Sequence, residues 1–484
     1  MNGNDYNSEP NKPKTGKAYV AASNVFLFIF LAMIAYMAYF QFFKSRDVLN
    51  SPYNTRQTKT SESVIKGSLL SRDGRPIAYT EIDADKNEIR RYPCGSLFAQ
   101  TVGYSDYGSA GLEATQNYLL VQTHAAYSEQ IINEARGEKT WGDSVITSFD
   151  LDFSQAVYDI LGDTKGAVIV LNADDNSVLA NSSNPSFNPV RVAEEWEILN
   201  DESSGSPFLN RALQGLYPPG STFKIVTALA YLREYGVDNN FHFTCTGEYE
   251  CGGYTIHCSG GTAHGEQDLS DAFANSCNCA FAYMTAKLLS SQTLNSTAEN
   301  LKFNTAFNLA LPSVKSSFSL KSAGENGLTM QTAIGQGNTL MTPVHLAMIA
   351  SAVYNGGTMY KPNYVLGTRT YSGTPVSKNK AEALGTVMDS AQAAALKDMM
   401  RQVVTEGTGS ALASLPYEIC GKTGTAQYND NPDDAHSWFV GFSDTQNCDI
   451  IVAVIIEGGQ NTDVSAVNLA GRIFSTWFAL QGRQ

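Results

Sequence analysis

At 484 residues with 43% apolar side chains, the chain exceeds a single usual domain and can fill a large core. Its formal net charge of -14 comes without any basic cluster, which excludes the Lys/Arg footprint that phosphate binding requires and hence a nucleic-acid partner. Acidity here speaks to solubility and to little else.

Residues 1–17 are polar and read as a disordered cytoplasmic tail. From Ala18 to Phe43 run 26 residues without a charge, rich in Phe, Ala, Leu, Ile and Met, with tyrosines at both ends. As a helix this segment is about 39 Å long, enough to cross a hydrocarbon core of about 30 Å. A cleaved signal peptide fits less well, because the run is too long and no small-x-small site precedes Lys44. Lysines flank both ends, so charge asymmetry orients the helix only weakly. A single-pass anchor with the long folded region outside the membrane is the expectation. Asn50 to Ser63 is a polar linker, and Ile65 to Ala78 reads as a strand and turn.

Gly166–Asn172 and Ser177–Ala180 flank the polar turn Ala173-Asp174-Asp175-Asn176 and predict a hairpin. From Ser221 to about Val353 apolar periodicity and alanine content predict mainly helix. Cys420–Gln427, His436–Phe442 and Cys448–Glu457 predict three strands, followed by an amphipathic helix over Asn468–Ala479. Two early strands and three late ones can close one antiparallel sheet around a helical insert.

The chemistry is carried by Tyr217-Pro218-Pro219-Gly220-Ser221-Thr222-Phe223-Lys224. A helix is predicted from Ser221 to Tyr235, closed by Gly236, so Ser221 and Lys224 lie three apart on one face. A serine hydroxyl is a poor nucleophile until a neighbour takes its proton, and a lysine does so only when burial or a nearby cation lowers its pKa. Phe223, Ile225, Val226, Ala228, Leu229 and Ala230 make the helix apolar nearly all round and predict that burial. Alone, S-x-x-K is a common tetrapeptide and Ser221 an ordinary helix cap. Two further elements follow downstream, Ser276-Cys277-Asn278 and Lys422-Thr423-Gly424-Thr425, and S-x-x-K with S-D-N and K-T-G is a signature of penicillin-recognising acyl transferases, Cys277 standing here at the middle position of the second motif.

With those motifs the sequence resembles the penicillin-binding proteins, specifically the membrane-anchored, monofunctional class B transpeptidases. Asn210-Arg211-Ala212, Ala333-Ile334-Gly335-Gln336-Gly337 with Thr342-Pro343, and His436-Ser437-Trp438-Phe439-Val440-Gly441-Phe442 look like further signatures of that family. The resemblance implies an α/β transpeptidase domain, an antiparallel five-stranded sheet with helices on both sides, over residues 161–484. It implies a pedestal, or dimerisation-like, domain over 44–160, a transmembrane helix over 18–43 and a tail over 1–17. Ile65–Ala78 resembles the juxtamembrane pedestal motif, although Lys66 stands where arginine is usual. Gly103-Tyr104 and Ala110-Gly111-Leu112-Glu113 look like other pedestal elements. Bifunctional relatives carry a glycosyltransferase domain ahead of the transpeptidase, but about 120 residues between Phe43 and the first core strand leave little room for one.

The implied reaction is attack of Ser221 on a peptide ending in D-Ala-D-Ala, with Lys224 taking the proton. Ser276 relays a proton to the leaving group, and Asn278 holds Lys224 and a substrate amide. Lys422 lowers the Lys224 pKa by repulsion, Gly424 lets substrate backbone approach, and Thr423 and Thr425 bind the substrate carboxylate. Backbone N–H groups of Ser221 and Thr425 would form the oxyanion hole. Implied partners are peptidoglycan stem peptides, β-lactams, the membrane, and glycosyltransferase, divisome or elongasome proteins. No cofactor is required for this chemistry.

Eight cysteines occur, and Cys245, Cys251, Cys258, Cys277 and Cys279 cluster with His264 in one segment. Three readings stand: a Cys245–Cys258 disulfide, free thiols, or a structural zinc site of Cys245, Cys258, His264 and Cys277, four ligands that suit tetrahedral zinc. Some class B relatives look metal-bound at matching positions. His257 reads as a loop residue and His436 as packed in its strand. Two other functions compete with the transpeptidase. A β-lactamase needs a second base for deacylation, and none is identifiable. A divisome scaffold would keep a vestigial site, whereas all three motifs are intact, and a penicillin sensor is expected to carry a cytoplasmic signalling domain, for which 17 residues leave no room.

Overall fold

The computed structural model describes residues 16–41, 63–320, 326–429, 431, 434–445, 447–459 and 464–482. The expected polar tail up to residue 15 and the linker from Asn50 to residue 62 lie outside them. Two compact units divide the chain, residues 1–59 and 60–484. The first contains α1, Lys17–Tyr39, whose apolar side chains are exposed along its length. Over Tyr19–Tyr39 this helix is long and apolar enough to cross a membrane.

The second unit begins with β1 (Leu69–Leu70), β2 (Pro76–Ile82), β3 (Glu88–Arg91) and β4 (Ser144–Thr147). Glu113 is fully buried between Lys66 at 2.6 Å and Arg90 at 2.7 Å. Burial raises its pKa, but the two cations outweigh that and hold the carboxyl below its usual range. Two pedestal motifs singled out in the sequence, around Lys66 and around Glu113, are thereby tied together.

The helix α2 (Leu151–Leu161) follows, then the hairpin of β5 (Gly166–Asn172) and β6 (Val178–Asn184). The central segment carries α3 (Lys224–Tyr235), two small hairpins, α4 (Leu269–Ala274), α5 (Asn278–Tyr283) and α6 (Pro343–Tyr354). The hairpins pair β7 (Phe243–Cys245) with β10 (Gly265–Gln267), and β8 (Glu248–Cys251) with β9 (Tyr254–His257). The segment was expected to be mainly helical, and these strands are the exception. Gly252-Gly253, a two-residue hairpin signal, is the feature that overrides helix there.

Next come β11 (Val365–Arg369), β12 (Pro375–Lys378) and α7 (Ser390–Thr405). The last elements are β13 (Ile419–Gln427), β14 (Ala435–Ser443), β15 (Ile450–Ile456) and α8 (Ala466–Gln481). The main sheet has the order β13-β14-β15-β5-β6, antiparallel throughout. The inner strands β15 and β5 are buried on both faces, which is why they read as continuous apolar runs. Alternate residues enter opposite cores: Ala167, Ile169 and Leu171 pack with α3 and α6, while Val168 and Val170 pack with α2 and α8 through Phe153, Phe474 and Trp477.

Two findings refine the division at residue 160. Helix α2 packs on the main sheet, although it precedes that boundary. Strands β11 and β12 run back to the first sheet, whose order is β12-β11-β4-β1-β2-β3. The first sheet is therefore built from two separated stretches of the unit, residues 69–147 and 365–378.

Candidate active site

Ser221 lies in a 3-10 turn, Gly220–Phe223, that runs directly into α3. The turn is fixed from several sides. Tyr217 exchanges backbone hydrogen bonds with Met341, its hydroxyl donates to Glu457 Oε1 at 2.7 Å, and Trp438 Nε1 donates to the Pro218 carbonyl at 3.0 Å. Arg211 Nε holds the same Glu457 oxygen at 2.8 Å. Gly220 takes φ +53, and a Cβ there would lie 2.3 Å from the Thr425 carbonyl oxygen. Only glycine lets the serine turn press against β13. Gly335 backs the turn from the other side, accepting the Gly220 N–H at 2.9 Å.

The first turn of α3 brings Lys224 under Ser221. Residues 224–232 are all buried, as the apolar run required, and Lys224 is fully enclosed. Its Nζ lies 3.1 Å from Ser221 Oγ, 3.0 Å from Ser276 Oγ, 2.7 Å from the Ser276 carbonyl and 2.7 Å from Asn278 Oδ1. Burial pushes its pKa down to about 7, against an opposing pull from the thiols of Cys277, Cys258 and Cys279. A drop of that size disfavours the charged form by about 5 kcal/mol. A buried lysine poised near neutrality is a proton acceptor for the hydroxyl beside it.

Ser276 and Asn278 reach Lys224 because α4 ends abruptly. Ser276 adopts φ +55, a left-handed conformation that non-glycine residues seldom take, and Cys277 then caps α5. This strained backbone turns both the Ser276 hydroxyl and its carbonyl toward the ammonium, a geometry that costs about 1–3 kcal/mol and is typical of functional sites. The Asn278 amide is oriented from outside, its Nδ2 donating to the His257 carbonyl at 3.0 Å. Its oxygen is thus left for Lys224.

Strand β13 lies at the sheet edge and carries Lys422, Thr423, Gly424 and Thr425 opposite Val440, Phe439, Trp438 and Ser437. Lys422 is fully buried over the Phe273 ring, and burial, then repulsion from Lys224, holds its pKa well below the usual lysine value. Burial is the main cause of the lowered pKa at both lysines, and the repulsion expected between them acts on the pair. Gly424 differs from expectation. A Cβ there would meet Thr222 Cγ2 at 2.9 Å and Trp438 Cβ at 3.1 Å, so its missing side chain makes room for the serine turn.

Thr423 is half-buried and Thr425 exposed. Thr423 Oγ1 lies 2.6 Å from Thr408 Oγ1, and the Thr408 N–H donates to the Ala274 carbonyl at 3.2 Å. Thr408 thereby links the ends of α4 and α7 to the third motif. Neither Thr408 nor Glu457 was singled out in the sequence. Thr408 has no spacing that ties it to its partner, and a glutamate closing an apolar strand looks like an ordinary strand end.

The cysteine segment lies behind the second motif. Cys245, Cys258, His264 and Cys277 place their ligand atoms within 4.8 Å of one another. Cys245 and Cys277 sulfurs each lie 3.7 Å from Cys258 Sγ, and Cys245 Sγ lies 3.5 Å from His264 Nδ1. A tetrahedron with Zn–S of about 2.3 Å and Zn–N of about 2.0–2.1 Å has edges of roughly 3.8 Å and 3.6 Å. The donors fit a zinc ion in kind and in spacing. Cys245 and Cys258 are not joined as a disulfide. His257 is exposed on β9, and His436 is buried on β14, stacked on Tyr428, with Nδ1 accepting from the Gly458 N–H at 3.2 Å.

Comparison with known proteins places this geometry. A profile for the penicillin binding protein transpeptidase domain matches residues 166–476, and one for the penicillin binding protein A dimerisation domain matches residues 66–145. The peptidoglycan D,D-transpeptidase PbpA of Mycolicibacterium smegmatis is 27% identical over 466 residues, covering 90% of this chain and 92% of its own. Two solved structures are similar. One is the D,D-transpeptidase domain of a peptidoglycan glycosyltransferase from Eggerthella lenta, with a TM-score of 0.75 and 27% identity over 87% of this chain and 100% of its own. The other is penicillin-binding protein A from M. tuberculosis as a ceftriaxone acyl-enzyme complex, with a TM-score of 0.78 and 25% identity over 87% of this chain and 99% of its own.

Proposed function

The chain belongs to the penicillin-binding protein transpeptidase family, and from that premise we propose that it is a membrane-anchored peptidoglycan D,D-transpeptidase acting through an acyl-Ser221 intermediate. The observation that carries this reading is the convergence of Ser221, Ser276 and Asn278 on one buried lysine amine at 2.7–3.1 Å.

Neutral Lys224 takes the Ser221 proton as Oγ attacks the carbonyl carbon of the terminal D-Ala-D-Ala bond. The N–H groups of Ser221 and Thr425 receive the oxyanion, and the Thr423 and Thr425 hydroxyls hold the terminal carboxylate. As the C–N bond breaks, Ser276 passes the proton from Lys224 to the departing D-alanine nitrogen. An amine of a second stem peptide then attacks the acyl carbon, gives its proton back through the same groups and releases Ser221. Lys422 lies next to Thr423 and supplies positive potential for the carboxylate when protonated.

Cys245, Cys258, His264 and Cys277 would hold a zinc ion, which when bound would serve as a structural cross-link between the hairpins and the second motif. No catalytic step passes through it. The expected result of metal analysis on protein purified without chelator is one zinc per chain, lost in Cys258→Ser; a metal-free wild type would overturn the assignment. Helix α1 anchors the chain with its N-terminus in the cytoplasm and the catalytic unit outside, where the pedestal engages a glycosyltransferase, divisome or elongasome protein.

The function is tested by incubating the detergent-solubilised chain with a stem peptide ending in D-Ala-D-Ala and an amine acceptor. D-alanine release matched by cross-linked product is expected. Steady hydrolysis of penicillin without cross-linking would instead make the protein a β-lactamase.

A further inference from the structure

The cysteine cluster contains one sulfur more than a tetrahedral ion needs. Cys279 is fully buried, lies two residues past Cys277 on α5, and places its Sγ 3.4 Å from Cys258 Sγ. That is the shortest separation among the described sulfur pairs of the cluster, the other two at Cys258 being 3.7 Å. Neither the zinc site nor the acyl-transfer chemistry uses Cys279.

Cys258 is the joint at which these facts meet. It faces three other thiols, and it is a member of the candidate metal set. It also precedes the exposed turn Ser259–Gly261, where Gly260 and Gly261 take positive φ and a Cβ on either would touch nothing. A disulfide requires the two sulfurs to close from 3.4 Å to about 2.05 Å, a movement that the exposed, glycine-rich turn beside Cys258 can absorb. On the other side, His257 accepts the Asn278 amide that orients the catalytic oxygen.

We propose that Cys258 and Cys279 form an oxidation site for hydrogen peroxide whose product, a Cys258–Cys279 disulfide, excludes the metal. One thiol gives up its proton, its thiolate attacks a peroxide oxygen, the O–O bond breaks, and the departing hydroxide takes that proton, leaving a sulfenic acid and one water. The second thiol then attacks that sulfur, the S–O bond breaks, and the hydroxide leaves with the thiol proton as a second water. Two thiols are oxidised and one peroxide is reduced. Metal and disulfide compete for Cys258, because a sulfur bonded in a disulfide is no longer a thiolate ligand. Oxidation thereby acts on the segment that positions Asn278. The inference stands on the thiols of this chain and does not depend on the transpeptidase reading.

The full chain in detergent is stripped with a chelator or loaded with zinc, treated with hydrogen peroxide, alkylated, and mapped by mass spectrometry without reduction. In the stripped protein a Cys258–Cys279 linked peptide is expected, with loss of the one zinc per chain that reduced protein rebinds and its return on reduction with a dithiol. Prior zinc loading holds Cys258 and prevents the linked peptide. Cys279→Ser binds zinc, and its rebinding survives peroxide. Cys279 recovered alkylated from oxidised, stripped wild type, with other cysteines paired, overturns the proposal. So does a Cys279→Ser protein that loses zinc rebinding under peroxide as fast as wild type. A chain that never binds zinc would refute the metal assignment and, with it, the competition; the linked peptide alone would then remain as chemistry without a switch.

Discussion

Ser221→Ala abolishes covalent attachment of penicillin and lowers peptide acylation by about six orders of magnitude, the scale on which removal of a covalent nucleophile acts. The loss is this large because no other hydroxyl can replace it. Ser276, the nearest candidate, shares the same amine at 3.0 Å, but it sits on a left-handed backbone within the turn after α4 and lies off the N-terminal turn of α3. Lys224, Asn278 and β13 remain in place around a missing oxygen, so the variant should still fold with an unchanged melting temperature. Fluorescent penicillin labelling read beside a thermal melt separates the two effects. Labelling of the variant at the wild-type level would show that the acylated residue lies elsewhere.

Lys224→Met lowers the acylation rate by about a thousandfold, within the range of about 10²–10⁴ that a positioned base contributes. Methionine fills the buried volume and cannot accept a proton, so the change removes chemistry with little loss of packing. It also leaves Ser276 and the Asn278 oxygen without their common donor, which costs stability of about 1–3 kcal/mol. The two losses are read separately. Single-turnover labelling gives the rate, and denaturant unfolding gives the stability. A methionine variant that acylates within a few-fold of wild type would remove Lys224 from the mechanism and leave Lys422 as the amine to examine.

Much of this site was legible because its parts are local. Ser221 and Lys224 are three residues apart on one element, and their hydrogen bond follows from helix geometry once burial is granted. The inner strands of the main sheet were legible for a related reason, since both faces are covered and the sequence shows unbroken apolar runs at Ile450–Ile456 and Gly166–Leu171. What escaped were relations between distant segments. The pairing of Val365–Arg369 with Ser144–Thr147 joins pieces more than two hundred residues apart, and no local pattern announces it. Gly424 was read as a door for substrate, yet only the fold reveals Thr222 and Trp438 filling that space. The electrostatics escaped for the same reason. Only the fold reveals that Lys224 meets four acceptors, whereas the described contact of Lys422 is a long one to the Thr423 carbonyl at 3.4 Å.

The central claim is that a buried amine, half neutral near pH 7, takes the proton of Ser221. The sign of its pH dependence follows directly. Protonated Lys224 cannot accept, so acylation is slow below its pKa and rises as the amine loses its proton. The direct measurement is the single-turnover rate of Ser221 acylation by penicillin from about pH 5 to about pH 9, followed by intact mass. The account predicts a rate that climbs through a midpoint near 7 and then levels, with the climb absent from the residual rate of Lys224→Met. A wild-type rate that is flat across this range, or a climb that persists in Lys224→Met, would contradict it.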